Sequence, residues 1–107
     1  MATKIYGVDA DGPVTPLMVR DAITECFRQA HCSDTGVDFN DDEANLTYCR
    51  SIVQKAFADA GGDFNNPNKD SIVGCLGNLA EFSRNFRDPS IVEKHFEEIM
   101  KLVNRIE

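Results

Sequence analysis

From Asp88 onward the chain carries a helix start and an apolar stripe in immediate succession. Asp88 is placed to act as N-cap, Pro89 fits the first helical position, and Ser90 with Glu93 offers an alternative capping box. Val92, Phe96, Ile99, Val103 and Ile106 then recur at spacings of four, three, four and three, the stripe that a helix presents to a core. Ile91, His95 and Leu102 widen it, while Glu93, Lys94, Glu97, Glu98, Lys101 and Arg105 take the opposite face. A single amphipathic helix cannot bury its own stripe, so the remainder of the chain must supply the cover.

Three further helices are legible upstream. Thr15-Pro16 is a capping and first-turn signal, and Val19, Ile23, Cys26 and Ala30 repeat behind it, giving a first helix over about 16–31. Asp41 or Asp42 is placed to cap a second helix over about 42–60, with Glu43 in its first turn. Its seam is Leu46, Cys49, Val53, Ala56 and Ala60, broadened by Ile52 and Phe57, and Gly61-Gly62 stops it. Asn68 or Asp70 opens a third over about 69–86, where Ile72, Cys75, Leu79, Phe82 and Phe86 form the seam. Val73, Leu76 and Ala80 make this the most apolar helix and, by expectation, the most buried. Only Arg87 and Asp88 separate it from the last helix, over about 89–107, so those two should form a tight hairpin. The expected fold is all-α: one domain over residues 1–107, a four-helix bundle of antiparallel up-down order with an irregular arm at 1–14.

Composition removes several functions. With 107 residues the chain is one domain on length priors. Its formal charge of −7 argues against a nucleic-acid partner, because phosphate-backbone binding draws its affinity from Lys and Arg. No apolar run is long enough to span a bilayer and the first residues do not read as a signal peptide, so a cytoplasmic protein with reduced thiols is expected.

Val8-Asp9-Ala10-Asp11-Gly12 is similar to the Asp-x-Asp-Gly nucleophile loop of haloacid-dehalogenase-like phosphatases. That chemistry needs the first aspartate at the end of a central parallel strand beside Mg²⁺, followed by alternating strands and helices, whereas this chain is patterned for helices; a solvated turn is the expectation. Asp34, Asp38, Asp41, Asp42 and Glu43 cluster in the first loop, yet every EF-hand register places a wrong residue at the sharp-turn glycine or at the bidentate glutamate. Helix-start electrostatics and solvation account for the cluster.

Cys26, Cys49 and Cys75 fall on the seams of three different helices, where cysteine serves as a small hydrophobe. Close Cys-x-x-Cys pairs are absent, so no metal and no cofactor is expected. Cys32 lies past the expected end of the first helix and is the candidate exposed thiol. His95 sits at the margin of the last stripe, where a half-buried hydrogen-bonded imidazole suffices. Arg84, Arg87 and Lys94 read as a solubilising corner. Gly74 and Gly77 break the helical rule, each costing on the order of 1 kcal/mol against alanine, and ask for close approach of a neighbour or room for a ligand.

No catalytic constellation emerges, and the expected function is a non-enzymatic protein-interaction or regulatory module, partnered by another protein or by itself as a homodimer. The alternative is a small-ligand or metal carrier with a site inside the bundle. Gly74, Gly77, Cys75 and His95 are the candidate ligand or partner contacts for either.

Overall fold

The computed structural model describes residues 4–5, 8–9, 12–35 and 43–106. Four helices dominate them: α1 (Pro16–Thr35), α2 (Glu43–Asp59), α3 (Lys69–Phe82) and α4 (Pro89–Val103). Their ends follow the capping chemistry. Thr15 Oγ1 accepts the Met18 backbone N–H at 3.2 Å, and Pro16 stands at the first helical position, where its missing N–H is no loss. Asn68 caps α3 by accepting from Ser71 N at 2.8 Å, and Asp88 caps α4 by accepting from Ser90 N at 3.1 Å. Gly61 closes α2 at φ 76°, with Gly62 N donating to Phe57 O at 2.9 Å and Gly61 N to Ala58 O at 3.0 Å, the paired bonds of a Schellman motif.

Side-chain and end contacts fix the directions. The C-terminal end of α1 meets the start of α4, where Asp34 Oδ1 accepts the Arg87 N–H at 2.6 Å; its N-terminal end meets the other end of α4 through Arg105 Nη2 and Gly12 O at 3.2 Å. These two helices are therefore antiparallel. Between α2 and α3 the partners run in opposite sense, Ala60 beside Gly74 and Ala56 O accepting from Asn78 Nδ2 at 3.0 Å. His31 stacks near Tyr48 and Arg20 lies over Phe64, which sets α1 antiparallel to α2. The bundle is up-down-up-down, and α1 and α3 each pack on the other three helices.

The core is the set of stripes expected from the sequence. Val19, Ala22, Ile23, Cys26 and Phe27 from α1 meet Cys49, Val53 and Phe57 from α2, Ile72, Cys75 and Leu79 from α3, and Ile99, Leu102 and Val103 from α4. Burying one such large aliphatic or aromatic side chain is worth about 1.5–3 kcal/mol, so the shared interior, more than helix propensity, holds the helices together.

Several expectations need correction. The arm is not wholly irregular: β1 (Lys4–Ile5) pairs antiparallel with β2 (Val8–Asp9), and Val14 forms a parallel bridge with Ile106. α1 runs to Thr35 rather than stopping near 31, because the extra turn buries Cys32. α3 ends at Phe82 and passes into a 3₁₀ turn, Ser83–Asn85, where Ser83 Oγ donates to Leu79 O at 2.7 Å; Phe86 is extended. Phe82 and Val73, expected inside, are exposed, and α1 supplies more buried side chains than α3. α4 ends at Val103. The expected caps Asp41 and Asp42, with Asp38 of the acidic loop, lie outside the described residues.

Candidate functional site

Exposed aromatic and aliphatic side chains gather where α2 and α3 lie side by side. Tyr48, Ile52, Lys55 and Asp59 recur at helical intervals on the outer face of α2, and Asn78, Glu81 and Phe82 face them from α3. Between them runs a groove of about 280 Å³ with Ile52, Ala56 and Leu79 in its floor and Lys55, Asp59 and Glu81 at its rim. Phe82 is 41% exposed and Tyr48 48% exposed, high values for rings of that size in a bundle with a full core.

Both rings belong to a larger aromatic cluster at one end of the bundle. Phe82 packs on Phe27 at 5.9 Å between centroids and on Phe86 at 6.2 Å, while Tyr48 packs on His31 at 5.3 Å. His31 in turn lies 6.2 Å from Phe86. Four segments thus converge on one surface: the last turns of α1, the start of α2, the end of α3 and the turn after it. The inner rings anchor the outer two.

The sequence-derived candidates do not form a single site. Gly74 is filled by its neighbour, since a Cβ there would stand 2.7 Å from Ala60 Cβ. Gly77 faces outward, and a Cβ on it would meet nothing within 4 Å. Cys75 is buried, with Sγ 4.0 Å from Val53 O, and burial pushes its thiol up to about 12. Cys49 is likewise pushed up to about 12, by burial first and then by Cys32, with Arg28 opposing, and Cys26 is raised further by burial. Cys32, expected to be exposed, is 5% exposed: the added turn of α1 carries it inward. All four thiols are unbridged. His95 is half-buried on α4, and desolvation holds its imidazole below the ordinary value.

Among the described residues no three His, Cys, Asp or Glu side chains converge as a metal-binding group. No described helix is long and apolar enough to cross a membrane. Sequence reasoning missed the groove because Phe82 falls in register with a seam; the sign against burying it was the Ser83-Arg84-Asn85 run, poor in apolar residues, that ends the helix directly after it.

Fold and surface define an all-α, antiparallel four-helix bundle with a groove on its α2–α3 side. No protein-family model matches the chain, and no curated protein or solved structure is significantly similar to it.

Proposed function

We propose that this chain is a non-catalytic protein-interaction module whose α2–α3 groove seats an amphipathic helix with basic flanks. The observation that carries the reading is the exposure of Phe82 beside the apolar floor formed by Ile52, Ala56 and Leu79, with exposed Tyr48 one helical turn before Ile52 on α2. Aromatic side chains held rigid by packing beneath them are the groups that dominate binding energy at protein interfaces.

Geometry favours a helix as occupant. The eleven residue steps from Tyr48 to Asp59 span about 16 Å along α2, the length of about three helical turns. A groove between antiparallel helices takes a third by ridge-into-groove packing, with anchors at i, i+4 and i+7. Val73, Gly77 and Glu81 rise at four-residue intervals along the outer edge of α3, and the absent side chain at Gly77 admits close approach there. Charge favours basic flanks through the chain as a whole, whose formal charge is −7; at the rim itself Asp59 and Glu81 are paired with Lys55 at 3.2 Å and Arg84 at 3.4 Å, exposed pairs that an incoming lysine or arginine can exchange. The module is assigned to the cytoplasm on the strength of its four unbridged cysteines, which suit a reducing compartment.

A display library of three-turn amphipathic helices with varied flanking charge tests the assignment. Selected binders should carry basic flanks, and Phe82→Ala and Glu81→Lys should each weaken them, the former about tenfold or more. Met100→Ala, an exposed change on α4, should not. Binding indifferent to Phe82 and Glu81 would remove the groove from consideration. A concentration-dependent dimer that Ile52→Asp dissolves, and that no peptide displaces, would instead make the occupant a second copy and overturn the helix assignment.

A further inference from the structure

Asn78 is the one uncharged polar side chain among the described residues that line the α2–α3 groove. It stands at mid-length. Ala60 lies beside Gly74 and Ala56 beside Asn78, a register that sets Ile52 level with Phe82 one turn further on. Ile52, Ala56, Leu79 and Phe82 around it are all apolar. Asparagine is a poor helix former, and leucine would suit these surroundings better.

The amide is held in one orientation. Nδ2 donates to Ala56 O at 3.0 Å, and because a carbonyl oxygen only accepts, the NH2 group must be the arm that faces α2. Oδ1 is the other arm. It accepts from none of the described residues, and the second Nδ2–H donates to none of them. The bond to α2 does not by itself explain the residue, since Ala56 O already accepts the Ala60 N–H at 3.2 Å and would not be orphaned without it. Gly74 against Ala60 already sets the close approach of the two helices. Asn78 therefore adds an oriented, half-buried acceptor and a spare donor to an otherwise apolar stretch.

We propose that Asn78 is the specificity-determining residue of the groove and pairs with a primary amide, the side chain of an asparagine or glutamine set among the apolar anchors of the docked helix; this rests on the groove being the docking site. A primary amide carries a donor and an acceptor in fixed geometry, and a second one turned end to end meets both. Its N–H donates to Asn78 Oδ1, and its oxygen accepts the spare Nδ2–H. A leucine anchor in that place would strip water from two polar groups and give no hydrogen bond in return, which is how a polar position rejects an apolar partner. Lysine offers donors alone and must shed its own hydration. Only one placement along the groove brings amide to amide, so the pair also fixes register.

The probes are three-turn helices with basic flanks, selected on the wild-type protein from a library that varies each apolar position over Asn, Gln, Lys, Leu and Ile. Selected helices should carry one Asn or Gln, and exchanging it for Leu should weaken binding about tenfold. Asn78→Leu should reverse the order and bind the Leu form more tightly than the amide form. A second readout needs no variant: in ¹⁵N-labelled wild-type protein the Asn78 NH2 resonances should shift and exchange slowly with water in the amide complex, and not in the Leu complex. A wild type that binds the Leu or Lys form as tightly as the amide form, or an NH2 pair that responds alike to both, would overturn the amide match and leave the groove in place. Helices whose binding ignores Phe82→Ala would remove the groove and this pairing with it, so the two failures are told apart.

Discussion

Gly74 on α3 lies so close to Ala60 on α2 that a methyl group on Gly74 would stand 2.7 Å from the Ala60 Cβ. Neither neighbour has a flexible tip that could swing aside, so the helices themselves would have to part. Overpacking of that kind costs about 1–3 kcal/mol, more than the roughly 1 kcal/mol that alanine returns over glycine in a helix. Gly74→Ala should therefore lower the urea midpoint. Gly77→Ala, where a Cβ would meet nothing within 4 Å, should raise stability by about 0.5–1 kcal/mol through helix propensity. Two glycines three residues apart are expected to respond with opposite signs, and a common sign would refute the packing account. If the groove seats a helix beside Gly77, the same stabilising change should weaken that binding.

The cysteines give a kinetic prediction. Burial pushes Cys49 and Cys75 up to about 12 and Cys26 higher, so little thiolate exists near neutrality. At pH 8 a thiol at about 12 reacts on the order of a thousandfold more slowly than an unperturbed one, before any steric protection is counted. Cys32, buried beside them, is shielded by access. Native protein should take up no iodoacetamide over the time in which urea-unfolded protein takes up four equivalents. Rapid labelling of Cys32 in the native state would show that the last turn of α1 opens readily.

What the sequence disclosed and what it hid divide along the range of the interactions. Asn68, Asp88-Pro89, Thr15 and Gly61 are local signals, and the structure places helix ends at all four. The end of α1 is set from a distance: Ser33-Asp34-Thr35 is poor helix-forming sequence, yet Cys32 is buried and Asp34 accepts from Arg87, 53 positions away. Phe82 shows the converse. Its spacing puts it on the seam, but α3 stops there, Ser83 turns its hydroxyl back to Leu79 O, and the ring is left at the edge of the groove.

His95 should make stability depend on pH. Its burial on α4 lowers the folded imidazole pKa below the ordinary value of 6.5, so the unfolded chain takes up the proton first as pH falls. The contribution is fully present above about 6.5 and is lost as pH drops from there toward the folded value. His95→Gln removes the titration. Melting curves of the two proteins should run parallel above pH 7.5 and converge below 6.5, as the wild type alone pays the protonation penalty. A wild-type advantage that grows on acidification would contradict the sign.

The start of α3 offers a last check on how much a cap contributes. Asn68 Oδ1 accepts from Ser71 N at 2.8 Å, and Asn68 N donates to Ser71 Oγ at 2.9 Å, so each residue satisfies the other's backbone. Ser71 is 4% exposed, and water cannot easily replace the lost acceptor. Asn68→Ala should cost about 1–2 kcal/mol, the upper part of the range for caps, because the Ser71 N–H is left buried and unsatisfied. Asn68→Asp keeps the acceptor and adds a charge that suits the helix dipole, so it should be neutral or stabilising. Hydrogen exchange at Ser71 and Ile72 reads the effect locally: it should quicken in Asn68→Ala and stay slow in Asn68→Asp. If alanine leaves those amides protected, packing against α1, α2 and α4 is enough to hold α3, and the cap is dispensable.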